Sequence, residues 1–201
     1  MNKFAINRGI SAAFAITMIA ATGAWAGDLV RPVSLVEPAS LPDKKRTALD
    51  LYLTAEQAGA FLAGHDDALL VDIRTRAEVS FVGIADEADK NIPYMVMDDF
   101  WEFDDDKGAY KMMVNPEFSD AIADLVAARG LSRDAPILLM CRSGSRSARA
   151  ADLLGQLGYT AVYSVVDGFE GDKSPDGGRN LNGWKNAGLA WSYTIRPEQH
   201  Y

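Results

Sequence analysis

One stretch limits what this chain can become more than any other, the run from Pro136 to Leu157. Pro136–Met140 is an unbroken apolar run and reads as a buried strand. Ser147–Leu157 reads as a helix, with Ala148, Ala151, Leu154 and Leu157 on one face. Between them lies a tight loop, Cys141-Arg142-Ser143-Gly144-Ser145-Arg146, holding the chain's only cysteine. A thiol at the end of a strand and before a helix N-terminus faces unpaired amides and the positive end of the helix dipole. Arg142 and Arg146 add positive charge, and Gly144 and the serines let backbone approach an anion closely. Such surroundings bring a cysteine pKa from about 8.5 to about 3.5–7.5. Cys141 is therefore a candidate nucleophile, against the plainer reading of a small buried hydrophobe at a strand end.

The rest of the chain alternates in the same way. Leu51-Tyr52-Leu53 and Ala68–Ile73 read as strands, and Thr160–Val166 as another. Thr54-x-x-Gln57 and Thr75-x-x-Glu78 are capping boxes opening helices, the first running to Ala63. Asn115 as N-cap and Pro116 at the first helical position predict a helix to Arg129, with Phe118, Ile122, Leu125 and Val126 on one stripe. Trp184–Gly188 reads as a short helix. Strands alternating with helices imply an α/β domain with a mainly parallel sheet and a site at the carboxyl ends of its strands.

The amino terminus stands apart. Lys3 and Arg8 precede an apolar run from Ile10 to Ala21, and Ala24-Trp25-Ala26 fits a small-x-small cleavage pattern. Residues 1–26 are read as a secretory signal peptide of bacterial style, directing the protein to the periplasm; the apolar run falls short of the ~20 residues that span a bilayer. Its removal takes two positive charges and moves the net charge from −8 to −10. An acidic protein is a poor partner for nucleic acid or anionic lipid, so any anion must be held by the local loop. Residues 27–50, with Pro32, Pro38 and Pro42, read as an extended segment wrapping a single domain of residues 51–201.

Two stretches look like inserts. Residues 95–113 mix Phe100, Trp101 and Phe103 with Asp98, Asp99 and Asp104 to Asp106. They read as a solvated loop, a lid over the cysteine loop or a docking face, and match no Ca²⁺-loop spacing. Residues 171–183 are glycine-rich; Asp172 and Asp176 are candidate cation ligands, although composition favours a flexible loop. No metal or cofactor is expected. His65 and His200 sit in a turn and in the tail, not where a general base is needed.

The loop from Cys141 to Ser147 resembles the active-site loop of rhodanese (thiosulfate sulfurtransferase) domains. The resemblance extends to Leu69–Arg74, an apolar strand ending in Asp72-x-Arg74, with Glu78 four residues later, and to Asn91-Ile92-Pro93. Val166–Phe169 and Trp184–Leu189 are similar to the family's closing glycine turn and tryptophan segment. It implies a three-layer fold with a five-stranded, mainly parallel sheet, and Asp72 and Arg74 as structural residues near the site. It also implies a sulfurtransferase. Cys141 would take sulfane sulfur from a small anionic donor such as thiosulfate and pass it, as a persulfide, to cyanide or a thiol. Arg142, Ser143, Gly144, Ser145, Arg146 and Ser147 would bind the donor. The chain departs from the family at Gly83-Ile84, which lacks a histidine, at Val79 and at Ala190.

Three competitors share the thiolate. A cysteine phosphatase needs arginine six residues after the cysteine, where this chain has Ser147 and places Arg146 one residue early. An interaction module would use the acidic aromatic insert with little turnover. A periplasmic sulfur carrier would perform only the first half-reaction and serve one partner protein.

Overall fold

The computed structural model describes residue 34 and residues 36–201. The signal-peptide reading of residues 1–26, and the start of the extended segment, lie outside the described residues. The sheet strands are β1 (Tyr52–Leu53), β2 (Leu69–Asp72), β3 (Lys90–Asn91), β4 (Ile137–Met140) and β5 (Val162–Val165). They pair in the order β1-β5-β4-β2-β3, all parallel. The α/β reading, with five parallel strands, is borne out.

Helices α1 (Ala55–Leu62), α2 (Arg76–Val82), α3 (Phe118–Ala128) and α4 (Ser145–Gln156) complete the three layers. Alternate strand residues point to opposite faces, so one sheet builds two cores. Leu70, Leu138, Met140, Tyr163 and Val165 meet Ala58 and Phe61 of α1, Val79 of α2, Phe169 and Trp184. Leu69, Val71, Ile137, Leu139 and Val162 meet Phe118, Ile122 and Val126 of α3 and Ala150, Ala151 and Leu154 of α4. Both faces are covered, which is why β4 is a continuous apolar run and β2 is one apart from Asp72.

Both capping boxes form. The Thr54 hydroxyl accepts from the Gln57 amide while the Gln57 side chain accepts from the Thr54 amide, and Thr75 and Glu78 repeat the exchange. Three boundaries differ from expectation. Helix α3 starts at Phe118 with Glu117 as N-cap, because Asn115 spends its side chain on a preceding turn: it accepts from the Glu117 amide at 3.1 Å and donates to the Pro93 carbonyl at 2.9 Å. Helix α4 starts two residues early, and Leu157 lies at its C-cap, 42% exposed rather than on the buried face. Residues 184–188 are turns, not a helix. Trp184 holds its place there by full burial and by donating from Nε1 to the Ala190 carbonyl at 2.9 Å.

The insert after Tyr94 is a hairpin rather than a plain loop. Met95–Met97 pairs antiparallel with Met112–Val114, and Phe103–Asp104 with Ala109–Tyr110. Both candidate acids of the glycine-rich insert have protein partners. Asp172 pairs with Lys45 at 2.7 Å and Asp176 accepts from the Ser174 hydroxyl. No cluster of three potential metal ligands occurs among the described residues. His65 stacks on Phe61 with ring centroids 3.8 Å apart, and His200 is exposed.

Trp184 fills the centre of the α1/α2 face. Trp184→Ala is expected to cost about 3–5 kcal/mol by cavity formation in denaturant unfolding; a loss below about 1 kcal/mol would show that the segment does not close the core.

Candidate active site

Cys141 follows directly on β4, whose four residues are all buried. The loop then turns at Gly144, the N-cap of α4, with φ +95°. A Cβ there would lie 2.1 Å from the Val166 carbonyl oxygen, so only glycine fits. Gly168 approaches from the other side. With φ +64°, its Cβ would lie 2.4 Å from the Cys141 carbonyl oxygen. The turn that Gly168 allows ties the loop down. Phe169 N–H donates to the Cys141 carbonyl at 2.8 Å and Glu170 N–H to the Arg142 carbonyl at 3.0 Å. With its carbonyls held outside, the loop can turn its donors inward.

Those donors meet the thiol. The Gly144 amide lies 3.1 Å and the Ser147 hydroxyl 3.2 Å from Sγ. Burial would push the thiol up, since Cys141 is 1% exposed. The charge of Arg146, the Ser147 hydroxyl and the amides of Ser147 and Ser143 more than offset this and hold its pKa below the ordinary thiol value. The net direction favours a thiolate.

Arg146 holds this position through Glu78, which the sequence marks as part of the capping box of α2 and of the family resemblance, but not as a partner of Arg146. Its Nη1 and Nη2 donate to the two oxygens of Glu78 at 2.7 and 2.5 Å. The Glu78 carboxylate also accepts from the Thr75 amide at 2.9 Å and hydroxyl at 3.0 Å. Burial would raise the Glu78 pKa, but Arg146 and Thr75 hold it at about 2. The capping box of α2 thus orients the arginine of α4. Both terminal nitrogens of Arg146 donate to Glu78, and its charge acts on the thiol. The pairing could have been found by asking which carboxylate a buried Arg146 would need.

The remaining residues divide. Arg142 is exposed at the rim, Ser143 and Ser145 are half-buried, and Ser147 is fully buried against the thiol. Asp72 and Arg74 form the expected buried pair, both side chains 0% exposed and 2.5 Å apart. Arg74 also donates to the Gly83 carbonyl at 2.7 Å and lies 3.8 Å from the Phe169 ring centroid. It therefore props, from below, the residue whose amide holds the Cys141 carbonyl. The Gly83 carbonyl is placed by a glycine at φ +97°.

Two outcomes follow. The rate of Cys141 alkylation against pH should have a midpoint below the ordinary thiol value of about 8.5, and Arg146→Gln should raise it; an unchanged midpoint would remove Arg146 from thiolate stabilisation. Glu78 has a folded pKa of about 2, below its unfolded value of about 4.3. Its contribution to stability is complete above the unfolded value and is lost as the pH falls toward 2. Glu78→Gln should flatten the acid side of the stability curve in that window, read by thermal melts across pH.

Comparison with known proteins agrees with this construction. The family model of the rhodanese-like domain matches residues 54–174. RC0915 of Rickettsia conorii, described as an uncharacterised protein, is 32% identical over 141 residues, covering 70% of this chain and 96% of its own. The thiosulfate sulfurtransferase GlpE of Tolumonas auensis is 42% identical over only 41 residues, 20% of this chain and 39% of that enzyme. The crystal structure of Rv0390 from M. tuberculosis superposes with a TM-score of 0.52 at 32% identity, covering 71% of this chain and 97% of that one. With more than half of its length matched and a five-stranded parallel sheet between two pairs of helices, the chain belongs to the rhodanese-like domain family.

Proposed function

We propose that the chain is a sulfurtransferase that carries sulfane sulfur as a persulfide on Cys141. One observation carries the reading: a cysteine whose pKa is lowered, with an amide and a hydroxyl aimed at Sγ, at the start of a helix. The short match to enzymes called thiosulfate sulfurtransferase supports it. In the first step the Cys141 thiolate attacks the outer sulfur of thiosulfate. The new S–S bond leaves a persulfide, and sulfite departs with the electron pair of the broken bond. In the second step cyanide or a thiol attacks the outer sulfur, forming thiocyanate or a new persulfide and restoring the thiolate. The nucleophile is activated by its surroundings, so no general base is required. The amides that meet the thiolate would cradle the persulfide in turn. Export to the periplasm, from the reading of residues 1–26, belongs to the same proposal, and a periplasmic protein thiol would then be a natural acceptor.

The phosphatase alternative loses support. Arg146 lies one residue early for a loop that wraps phosphate, and two of its five donors are already on Glu78. A partner-specific sulfur carrier keeps support from the hairpin of residues 95–114, where Phe100 is 85% and Trp101 60% exposed.

Steady-state rates with thiosulfate and cyanide should give parallel double-reciprocal lines, the signature of a covalent intermediate. Cys141→Ser should reduce turnover at least a thousandfold while leaving the melting temperature within a few degrees. Turnover retained in Cys141→Ser would refute the mechanism.

A further inference from the structure

The mechanism leaves open which cations besides Arg146 hold the donor. Arginines with neither a carboxylate nor a ring to hold are informative, because a guanidinium near a protein surface usually finds one or the other. Among the described residues, Arg46, Arg74, Arg129, Arg146 and Arg196 pair with carboxylates. Arg76, Arg133 and Arg149 lie over aromatic rings. Arg142 and Arg179 do neither, and these two are neighbours.

Their proximity is built by backbone. The Arg142 carbonyl accepts the amides of Glu170 and Gly171 at 3.0 and 3.3 Å. The Gly171 carbonyl in turn accepts from Arg179 Nη1. The Arg179 carbonyl is held by the Asn186 side chain at 3.2 Å, which also binds the Asn182 carbonyl at 2.7 Å. The glycine-rich insert thus folds back on the cysteine loop and hangs its one arginine beside that loop's rim. Burial and the charge of Arg142 both lower the Arg179 pKa, while Glu170, Asp172 and the Cys141 thiolate raise it. Arg179 is half-buried and Arg142 exposed. Two neighbouring cations beside the cysteine loop, neither in an ion pair with a carboxylate, make a site for an anion carrying more than one negative charge.

We propose that Arg179 is a donor-binding, specificity-determining residue that forms with Arg142 a two-armed clamp for a dianionic sulfur oxyanion above Cys141. The proposal rests on the sulfurtransferase reading and names its donor class. It assigns a function to an insert that by composition is only a flexible loop. In the transfer, the clamp holds the sulfonate end of the donor while the outer sulfur meets Sγ. The clamp then holds the departing sulfite, which keeps the pair of electrons from the cleaved S–S bond. No oxidant or reductant is consumed.

The test compares two donors of the same transferable sulfur, thiosulfate as a dianion and methanethiosulfonate as a monoanion, by initial rates of sulfur loading on the full-length protein. In Arg179→Ala the thiosulfate concentration for half-maximal loading should rise about tenfold or more, the scale of a lost charge-assisted contact. For methanethiosulfonate it should rise markedly less, so the preference of the wild type for the dianion collapses. Arg179→Lys should recover part of that preference, which a merely structural loss would not do. Equal half-saturation in wild type and Arg179→Ala, or an equal shift for both donors, would overturn the clamp while leaving the sulfurtransferase standing. Failure of the wild type to load sulfur from either donor would overturn the underlying reading instead.

Discussion

The site depends on where the carbonyl groups of the cysteine loop go. A loop can aim amides at a thiolate only if its carbonyls find donors elsewhere, since buried peptide groups must be paired. Here the Phe169 and Glu170 amides take the Cys141 and Arg142 carbonyls. That arrangement needs Gly168, where a Cβ would strike the Cys141 carbonyl oxygen, and Gly144, where one would strike the Val166 carbonyl oxygen. Phe169 is in turn fixed between the Arg74 guanidinium and the α1/α2 core. The Asp72–Arg74 pair therefore holds the shape of the cysteine loop from below. A buried ion pair contributes uncertain net stability, but it holds geometry.

Electrostatics adds a second tier. A buried thiol is expected to stay protonated, and burial does act that way on Cys141. Arg146 supplies the largest offset, and Ser147 and the loop amides add to it. A lone arginine that is 7% exposed would itself be costly; Glu78 neutralises most of that cost without reaching the thiol as a hydrogen-bond partner. One capping box thus starts a helix, satisfies an arginine and sets the charge beside a nucleophile.

Much of this was legible in the residues. The strand, cysteine loop and helix were plain from periodicity, and both capping boxes formed as written. The Asp72–Arg74 pair was read as structural, and its complete burial agrees. What escaped was long-range. A sequence cannot show that Glu78, sixty-eight positions away, arrives at the guanidinium of Arg146. Arg179 sits in a stretch whose glycines and aspartates read as unstructured, and only the hydrogen bonds from residues 170 and 171 bring it to the rim. The boundary errors have local causes: Asn115 capped a turn instead of a helix, and Gly144 in the left-handed conformation started α4 early. The hairpin of residues 95–114 was hidden by its acids, which depress strand propensity while Tyr110 packs edge-on against Trp101 and Phe103.

The account stands or falls on covalent sulfur at one atom. Intact-protein mass spectrometry of the reduced protein after exposure to thiosulfate, and again after cyanide, reads this directly. The account predicts the gain of one sulfur atom on Cys141 and its removal as thiocyanate. A folded, reduced protein that gains no sulfur, or that gains it on another residue, would contradict it.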